Sequence, residues 1–237
     1  TLDDLALNSN GNTFVAGTTT SANLRLANAL QSTYGGGARD GFLAQFTPDG
    51  SVLVYGTYIG GAGDDGAIGV SADSNANVLV TGFTSSTNFT LINPLQASLK
   101  GPSDAFVMKF NSSGTLVIYS TYLGGNGDDQ GSRITSDSFG NTYVAGFSTS
   151  DDYPTVSPTV LPVQSFRNGG RDVIVSKIDP FGTRLIFSTY LGGAGDDEAT
   201  ALAVDARTAI YVAGRTNSLN FPVAPATNTL QSGLAGG

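Results

Sequence analysis

The chain contains no cysteine, no histidine and no tryptophan, and only one methionine. Without cysteine, neither a disulfide nor a thiolate metal site can form. Without histidine, the commonest general base and the commonest transition-metal ligand are both missing. Charge is scarce as well. Asp, Glu, Lys and Arg make up 13% of the 237 residues, against about 25% in typical domains. Glu198 is the only glutamate, so the acidic side is almost all aspartate. A net charge of −8 leaves no basic footprint for nucleic acid or an anionic membrane as partner. No apolar run approaches the roughly 18 residues of a membrane-spanning helix, so no membrane insertion is expected. No signal peptide is visible, and the sequence opens on Thr1 rather than Met, as a processed product or a piece of a longer chain would.

Glycine is what the chain has in excess: 32 residues, near twice the usual share of about 7%. With abundant Ser, Thr and Asn, this suits short strands joined by tight turns. It does not suit helices. One stretch recurs: Gly60-Gly-Ala-Gly-Asp-Asp65, Gly124-Gly-Asn-Gly-Asp-Asp129 and Gly192-Gly-Ala-Gly-Asp-Asp197. The copies are 64 and then 68 residues apart, and each follows a run such as Tyr119-Ser-Thr-Tyr-Leu123. A fixed period of this length decides architecture before any local signal does.

One period holds four strand-like runs, A to D. In the second copy these are Ala67–Ala72, Val78–Phe83, Asp104–Phe110 and Thr115–Leu123. Asn111-Ser-Ser-Gly114 reads as a hairpin turn between C and D, with Gly114 free to take positive φ. A long connection joins B to C and always carries a Leu/Val-Gln pair: Leu30-Gln31, Leu95-Gln96, Val163-Gln164 and Leu230-Gln231. Four strands and one long loop in about 64 residues make a large propeller blade, with A innermost and D outermost. The fold class read from this pattern is all-β, a β-propeller of four-stranded blades of 64–68 residues.

Tyr119-Ser-Thr-Tyr-Leu-Gly-Gly-Asn-Gly-Asp-Asp129, with Asn141-Thr-Tyr-Val-Ala-Gly146 and Asp152-Tyr-Pro154, resembles the bacterial β-propeller repeat called SBBP. Phe187 to Asp197, with Tyr211-Val-Ala-Gly214 and Asn220-Phe-Pro222, resembles it equally. The resemblance covers essentially the whole chain. It implies an exported or cell-surface protein, and it implies no activity, because such repeats share no catalytic set. The first copy departs most: Asp3-Asp4 does not align with the Gly-Asp-Asp motif, and aligning Asn12 with Asn77 pairs Thr1 with Gly66.

That alignment counts the blades. Blade 1 covers about 1–61, blade 2 about 62–125 and blade 3 about 126–193, and 194–237 supply only strands A and B of a half blade. The last residues, Leu230 to Gly237, match Val163 to Gly170, just short of the next strand C. Three and a half blades do not close a regular ring. The chain is then a fragment of a longer propeller, or is completed by another chain, or forms a distorted four-blade ring. The free half-blade edge favours pairing with a second copy, in a homo-oligomer or filament.

The recurrent carboxylate pairs Asp64/Asp65, Asp128/Asp129 and Asp196/Asp197 are the candidate Ca²⁺ ligands, since Ca²⁺ takes oxygen donors. The competing reading is structural, with each pair capping backbone amides where D crosses to the next A. Repetition in every blade favours structure, because a catalytic site is usually single. Asp73, Asp137 and Asp205 read as Asx-turn residues between A and B, and Asp40, Asp104 and Asp172 as caps before C. Tyr58, Tyr122 and Tyr190 would either stack on sugars or pack between blades. Phe89, Tyr153 and Phe221 would pin the long loops, Arg167 and Arg171 form a small basic spot, and Glu198 reads as a solvated turn residue. No catalytic residue or organic cofactor is assigned. The expected function is a non-enzymatic, secreted or cell-surface module for self-assembly. A glycan- or protein-binding propeller, and a fragment of a larger secreted enzyme, are the alternatives.

Overall fold

The computed structural model describes residues 1–156 and 163–223. The Leu230-Gln231 pair and the match of Leu230–Gly237 to Val163–Gly170 therefore lie outside the described residues. The described chain holds fourteen strands and no helix. Blade 1 is built from β1 (Leu2–Leu7), β2 (Thr13–Thr19), β3 (Asp40–Phe46) and β4 (Leu53–Ile59). Blade 2 is β5 (Asp65–Ala72), β6 (Val78–Thr84), β7 (Asp104–Phe110) and β8 (Val117–Leu123). Blade 3 is β9 (Asp129–Ser136), β10 (Thr142–Ser148), β11 (Asp172–Ile178) and β12 (Leu185–Leu191). The half blade is β13 (Asp197–Val204) and β14 (Ile210–Thr216).

Each sheet is an antiparallel meander in chain order, four-stranded three times and two-stranded once. This is the propeller of four-stranded blades that the period predicts, three blades complete and one half present. The strands start earlier than the apolar runs suggest. β5, β9 and β13 each begin on the second Asp of the Gly-Asp-Asp motif, so that residue opens the next blade. All four first strands carry the same bulge, whose extra residue is Asp3, Ile68, Ser132 or Thr200. Leu2 pairs with Gly17 as Ala67 pairs with Gly82, which sets Thr1 level with Gly66.

The core lies between the sheets. Phe14, Ala16 and Leu43 of blade 1 bury against Val70 of β5, and Leu79 and Val107 of blade 2 against Ile134 of β9. Each first strand lies against the sheet before it, while the fourth strands scarcely reach the next blade. The blades therefore fan out from an axis lined by first strands. The outer gap is filled by aromatic rings. Tyr55 of β4 covers Gly114, and Tyr119 of β8 covers Gly182 and donates its hydroxyl to Thr142 Oγ1 at 2.7 Å. Both glycines sit in C–D turns at φ of +70° and +73°. β13 and β14 do not form a packed face with β1 and β2, so the described arc is open.

Candidate functional site: the joint between blades

The Gly-Gly-x-Gly-Asp-Asp loop is an array of backbone amides with a carboxylate behind it. Gly61 N donates to Asp65 Oδ2 at 2.7 Å, and the next three amides leave the blade. Ala62 N donates to Asn88 Oδ1 at 2.8 Å, Gly63 N to Ser86 Oγ at 2.8 Å and Asp64 N to Ser85 Oγ at 2.7 Å. Those acceptors open the B–C loop of the following blade. The pattern repeats with Asp152, Ser150 and Thr149, and again with Asn220, Ser218 and Asn217. Ser86, Ser150 and Ser218 each donate in turn to the buried Asp, at 2.7 Å in all three copies. The receiving motif, Ser/Thr/Asn-Ser-x-Asn/Asp, is short and polar, and composition hides it. Its fixed offset after each strand B was the available signal.

The second Asp of each loop does not meet the first. It meets the Asp that opens strand C. A Cβ added at Gly60 would lie 2.8 Å from Asp65 Oδ2 and 3.1 Å from Asp40 Oδ1. At Gly124 the corresponding atoms are Asp129 Oδ2 at 2.6 Å and Asp104 Oδ1 at 2.8 Å, and at Gly192 Asp172 Oδ1 at 2.6 Å and Asp197 Oδ2 at 2.8 Å. Two carboxylates share that space, so the loop's first residue must be glycine.

The Asp before strand C is a cap, as its position suggests. Asp40 accepts from Gly35 N at 2.6 Å, and Asp172 from Asn168 N at 3.0 Å. The Leu/Val-Gln pair has its reason here too. Gln96 accepts from Gly124 N at 3.0 Å and donates to Asp104 at 2.6 Å, and Gln164 does the same for Gly192 and Asp172.

These carboxyls are wholly buried. The Oδ1 atoms of Asp40, Asp65, Asp129, Asp172 and Asp197 have no hydrogen-bond partner among the described residues. Burial, with a smaller push from the neighbouring carboxylate, raises Asp40 and Asp129 to about 6. Burial likewise raises Asp65, Asp104 and Asp172. The free Oδ1 atoms of Asp40, Asp65, Asp129 and Asp172 are the oxygens open to a proton, which relieves the like-charge repulsion.

The candidate calcium ligands are thus separated. Asp64 Oδ1 takes the Ala38 amide at 2.6 Å and Asp196 Oδ1 the Arg171 amide at 3.0 Å, both at the surface side of the loop, while Asp128 stays exposed. Asp65, Asp129 and Asp197 turn inward. Among the described residues no three acidic side chains converge.

Other expectations are corrected. Tyr58, Tyr122 and Tyr190 are buried, so they offer no sugar-stacking surface, and they do not bridge blades. Each hydroxyl donates to a carbonyl of its own blade's B–C loop: Ser21 at 2.8 Å, Ser86 at 2.5 Å and Ser150 at 2.6 Å. The residue three places earlier in strand D, Tyr55 or Tyr119, fills the gap between blades instead. Glu198 is a strand residue, 2.6 Å from Arg215 and 3.9 Å from Arg171. Arg167 pairs with Asp151 at 2.7 Å, and Arg171 stacks on Phe147. Phe89 and Tyr153 are buried under their loops as expected, and Asp73, Asp137 and Asp205 form the expected Asx turns. Patterning did not reveal the buried ion pair Lys109–Asp73 at 3.0 Å or the pair of half-buried Lys177 with buried Asp137 at 3.3 Å.

With the joint described, its likeness to known proteins can be placed. Residues 118–154 and 186–222 match the family model of a beta-propeller repeat, SBBP. Both segments are SBBP repeats. Each runs from the outer strand of one blade, through the joint, to the start of the next blade's long loop. The SBBP match is therefore centred on the amide array and its receiving motif. Regulatory protein FlaEY of Caulobacter vibrioides is 30% identical over 120 residues, which is 51% of this chain and 12% of that protein. The chain thus spans a small part of the length of the curated relative it matches.

Proposed function

We propose that this SBBP module is a non-enzymatic structural element that joins to further copies of itself through its half blade. The observation that carries the reading is the β13–β14 sheet. It is two-stranded where the other three sheets are four-stranded, and β14 has no strand on its outer side among the described residues. A free strand edge presents unpaired N–H and C=O groups and templates pairing with another chain. Head-to-tail repetition of such a contact builds rings or filaments. A structural role is supported by the joints, where loop amides bond hydroxyls, carboxyls and a side-chain amide of the next blade. The reading includes export to the cell surface or beyond, in keeping with an acidic chain rich in Ser, Thr, Asn and Gly and poor in lysine. Light scattering of the purified chain over a rising concentration series tests it. Growth in mass with concentration is expected, and a strict monomer throughout would remove the reading.

A binding module for glycan or protein is the second reading. A cavity of about 240 Å³ favours it, lined by Arg39, Phe83, Gln130, Phe147, Thr149 and Arg171 at the end of the blades where the long loops meet strand C. Aromatic faces beside polar groups suit a sugar. Glycan-array binding by a monomer, lost in Phe147→Ala, would select this reading over the first.

A further inference from the structure

The joints use the residue before strand C for its backbone alone. Arg39 O takes the Asp65 amide at 2.9 Å, Ser103 O the Asp129 amide at 2.8 Å and Arg171 O the Asp197 amide at 2.7 Å. Serine serves blade 2 as well as arginine serves blades 1 and 3, so the two guanidiniums are surplus to the joint. The last residue but one of strand B is equally free to vary. It is Phe83 in β6 and Phe147 in β10, but Thr18 in β2 and Arg215 in β14. The surplus side chains come together. Both guanidiniums and both phenyl rings line the cavity of about 240 Å³ described above. Arg39 stacks on Phe83, with 4.9 Å from its guanidinium carbon to the ring centre, and Arg171 stacks on Phe147 at 4.6 Å.

Stacking positions the arginines and leaves their N–H groups available. Arg39 makes no ion pair among the described residues, and Arg171 meets only Glu198, at 3.9 Å. The Asp128 carboxylate and the Gln130 amide also line the cavity. Asp64, the counterpart of Asp128 one blade back, caps the Ala38 amide at 2.6 Å. Pro102 stands at the Ala38 position in blade 2 and has no N–H to offer, so Asp128 stays exposed. The wall thus combines two held cations, two aromatic faces, one carboxylate and one amide. A small inorganic anion would use the arginines and leave the rings and Asp128 idle. A peptide would find no strand edge, since β6 and β10 are each paired on both sides. An acidic sugar uses every group. Its carboxylate forks onto guanidinium, its C–H face lies on a ring, and its hydroxyls donate to Asp128 and exchange bonds with Gln130.

We propose that this cavity binds a uronate residue of an acidic polysaccharide. Arg39 and Arg171 recognise the carboxylate, Phe83 and Phe147 the apolar face of the sugar ring, and Asp128 and Gln130 its hydroxyls. The chain carries a net charge of −8, so its overall field repels a polyanion and the recognition is local to these contacts. The inference rests on the glycan reading above, since it names the class of sugar at the same cavity, and it is independent of pairing at the β14 edge.

Titration calorimetry of the full chain with trisaccharides of galacturonate, mannuronate and guluronate tests it. Each is set beside its methyl ester, which keeps the sugar and removes the charge. At least one uronate is expected to bind, with its ester weaker by about tenfold or more. Arg39→Gln is expected to cost a similar factor with an unchanged melting curve, because Arg39 is a surface residue that the joint uses only through its carbonyl. Phe147→Ala is expected to weaken acid and ester alike. Equal binding of acid and ester overturns the uronate and leaves the glycan reading standing, as does a neutral glycan bound on the array when no uronate binds. Absence of binding to any glycan removes both. Uronate binding unchanged in Arg39→Gln and Arg171→Gln overturns the site. Equal affinity for an aspartyl tripeptide of the same charge overturns the sugar, since it marks a general carboxylate site.

Discussion

β7 and β14 are equal in length, and both belong to the repeat, yet their surroundings are opposite. All seven residues of β7, Asp104–Phe110, are buried. None of the seven in β14, Ile210–Thr216, is. β14 carries Tyr-Val-Ala-Gly in the same register as β10, where Tyr143, Val144 and Ala145 are fully covered. The difference is the neighbour. β10 has β11 at its edge and the half blade on its face, whereas β14 has neither an outer strand nor a following blade among the described residues. Burial in a propeller is therefore a property of the joint, since each blade covers one face of the next. The chemistry of a joint can be read at its two filled copies and then looked for at its open ones.

The comparison breaks most visibly at the outer aromatic. Tyr119→Ala removes a buried ring from the gap between blades 2 and 3 and strips Thr142 of a bond. The expected loss is about 3–5 kcal/mol. Phe187→Ala, at the same position of blade 3, removes a half-buried ring with no C–D turn beyond it among the described residues, and the expected loss is about 1 kcal/mol. Urea unfolding of the two variants checks the ratio, and equal losses would show that a cover over Phe187 is in place in solution.

The turn glycines sharpen the contrast. Gly182→Ala must bear a left-handed backbone and a clash with Tyr119, at a cost of about 2–4 kcal/mol. Gly50→Ala carries the backbone term alone, about 1 kcal/mol. Thermal melts of both variants separate the two terms.

The carboxyl pairs add a pH dependence. Asp40 and Asp129 are raised from 3.8 to about 6. A raised carboxyl contributes stability that is complete below the ordinary Asp range and lost as pH climbs through the folded value. Stability from these two groups should therefore fall between pH 4 and about 6 and then level off. Asp73, Asp137 and Asp179 are shifted the other way, by hydrogen bonds and by nearby Lys or Arg, and act in the opposite sense. The clean measurement is the difference between wild type and Asp129→Asn, whose amide keeps an acceptor for Gly125 and Ser150. The variant should show a shallower decline over that window. An identical slope would mean that Asp129 is ionised throughout.

The smallest effect is expected from calcium. The Oδ2 atoms of Asp65, Asp129 and Asp197 already take two donors each, and no three acidic groups converge among the described residues. Melting should move by less than about 1 °C on adding EGTA, a change equivalent to a small fraction of 1 kcal/mol. A drop of several degrees would restore the aspartates as ligands.

Much of this was legible in the linear chain. The copies of Gly-Gly-x-Gly-Asp-Asp predict a joint, and the spacing between them predicts four-stranded blades ending in a half blade. Gly114 was readable as a positive-φ turn residue, and Asp73 and Asp137 as Asx residues, because a turn is local chemistry. The partners were not readable. Asp65 meets Asp40 from 25 positions away, and Gln96 meets Gly124 across a strand. The tyrosines show the limit most clearly. Tyr55 and Tyr58 lie three places apart in one strand, on opposite faces. One ring spans the gap between blades, and the other pins its own blade's loop.

The sequence by itself determined the period, the strand count and the turn types. Those follow from residue types at fixed offsets, and a strand or a turn is decided within a few residues. Tertiary structure alone decided which Asp faces which, why the loop begins on glycine, and which apolar faces stay open. Those depend on how one sheet lies against the next, over distances along the chain that no local pattern encodes. Read along the chain, the Gly-Asp-Asp loop was a candidate calcium site whose repetition in every blade favoured a structural role. In three dimensions it is the clasp that carries one blade into the next.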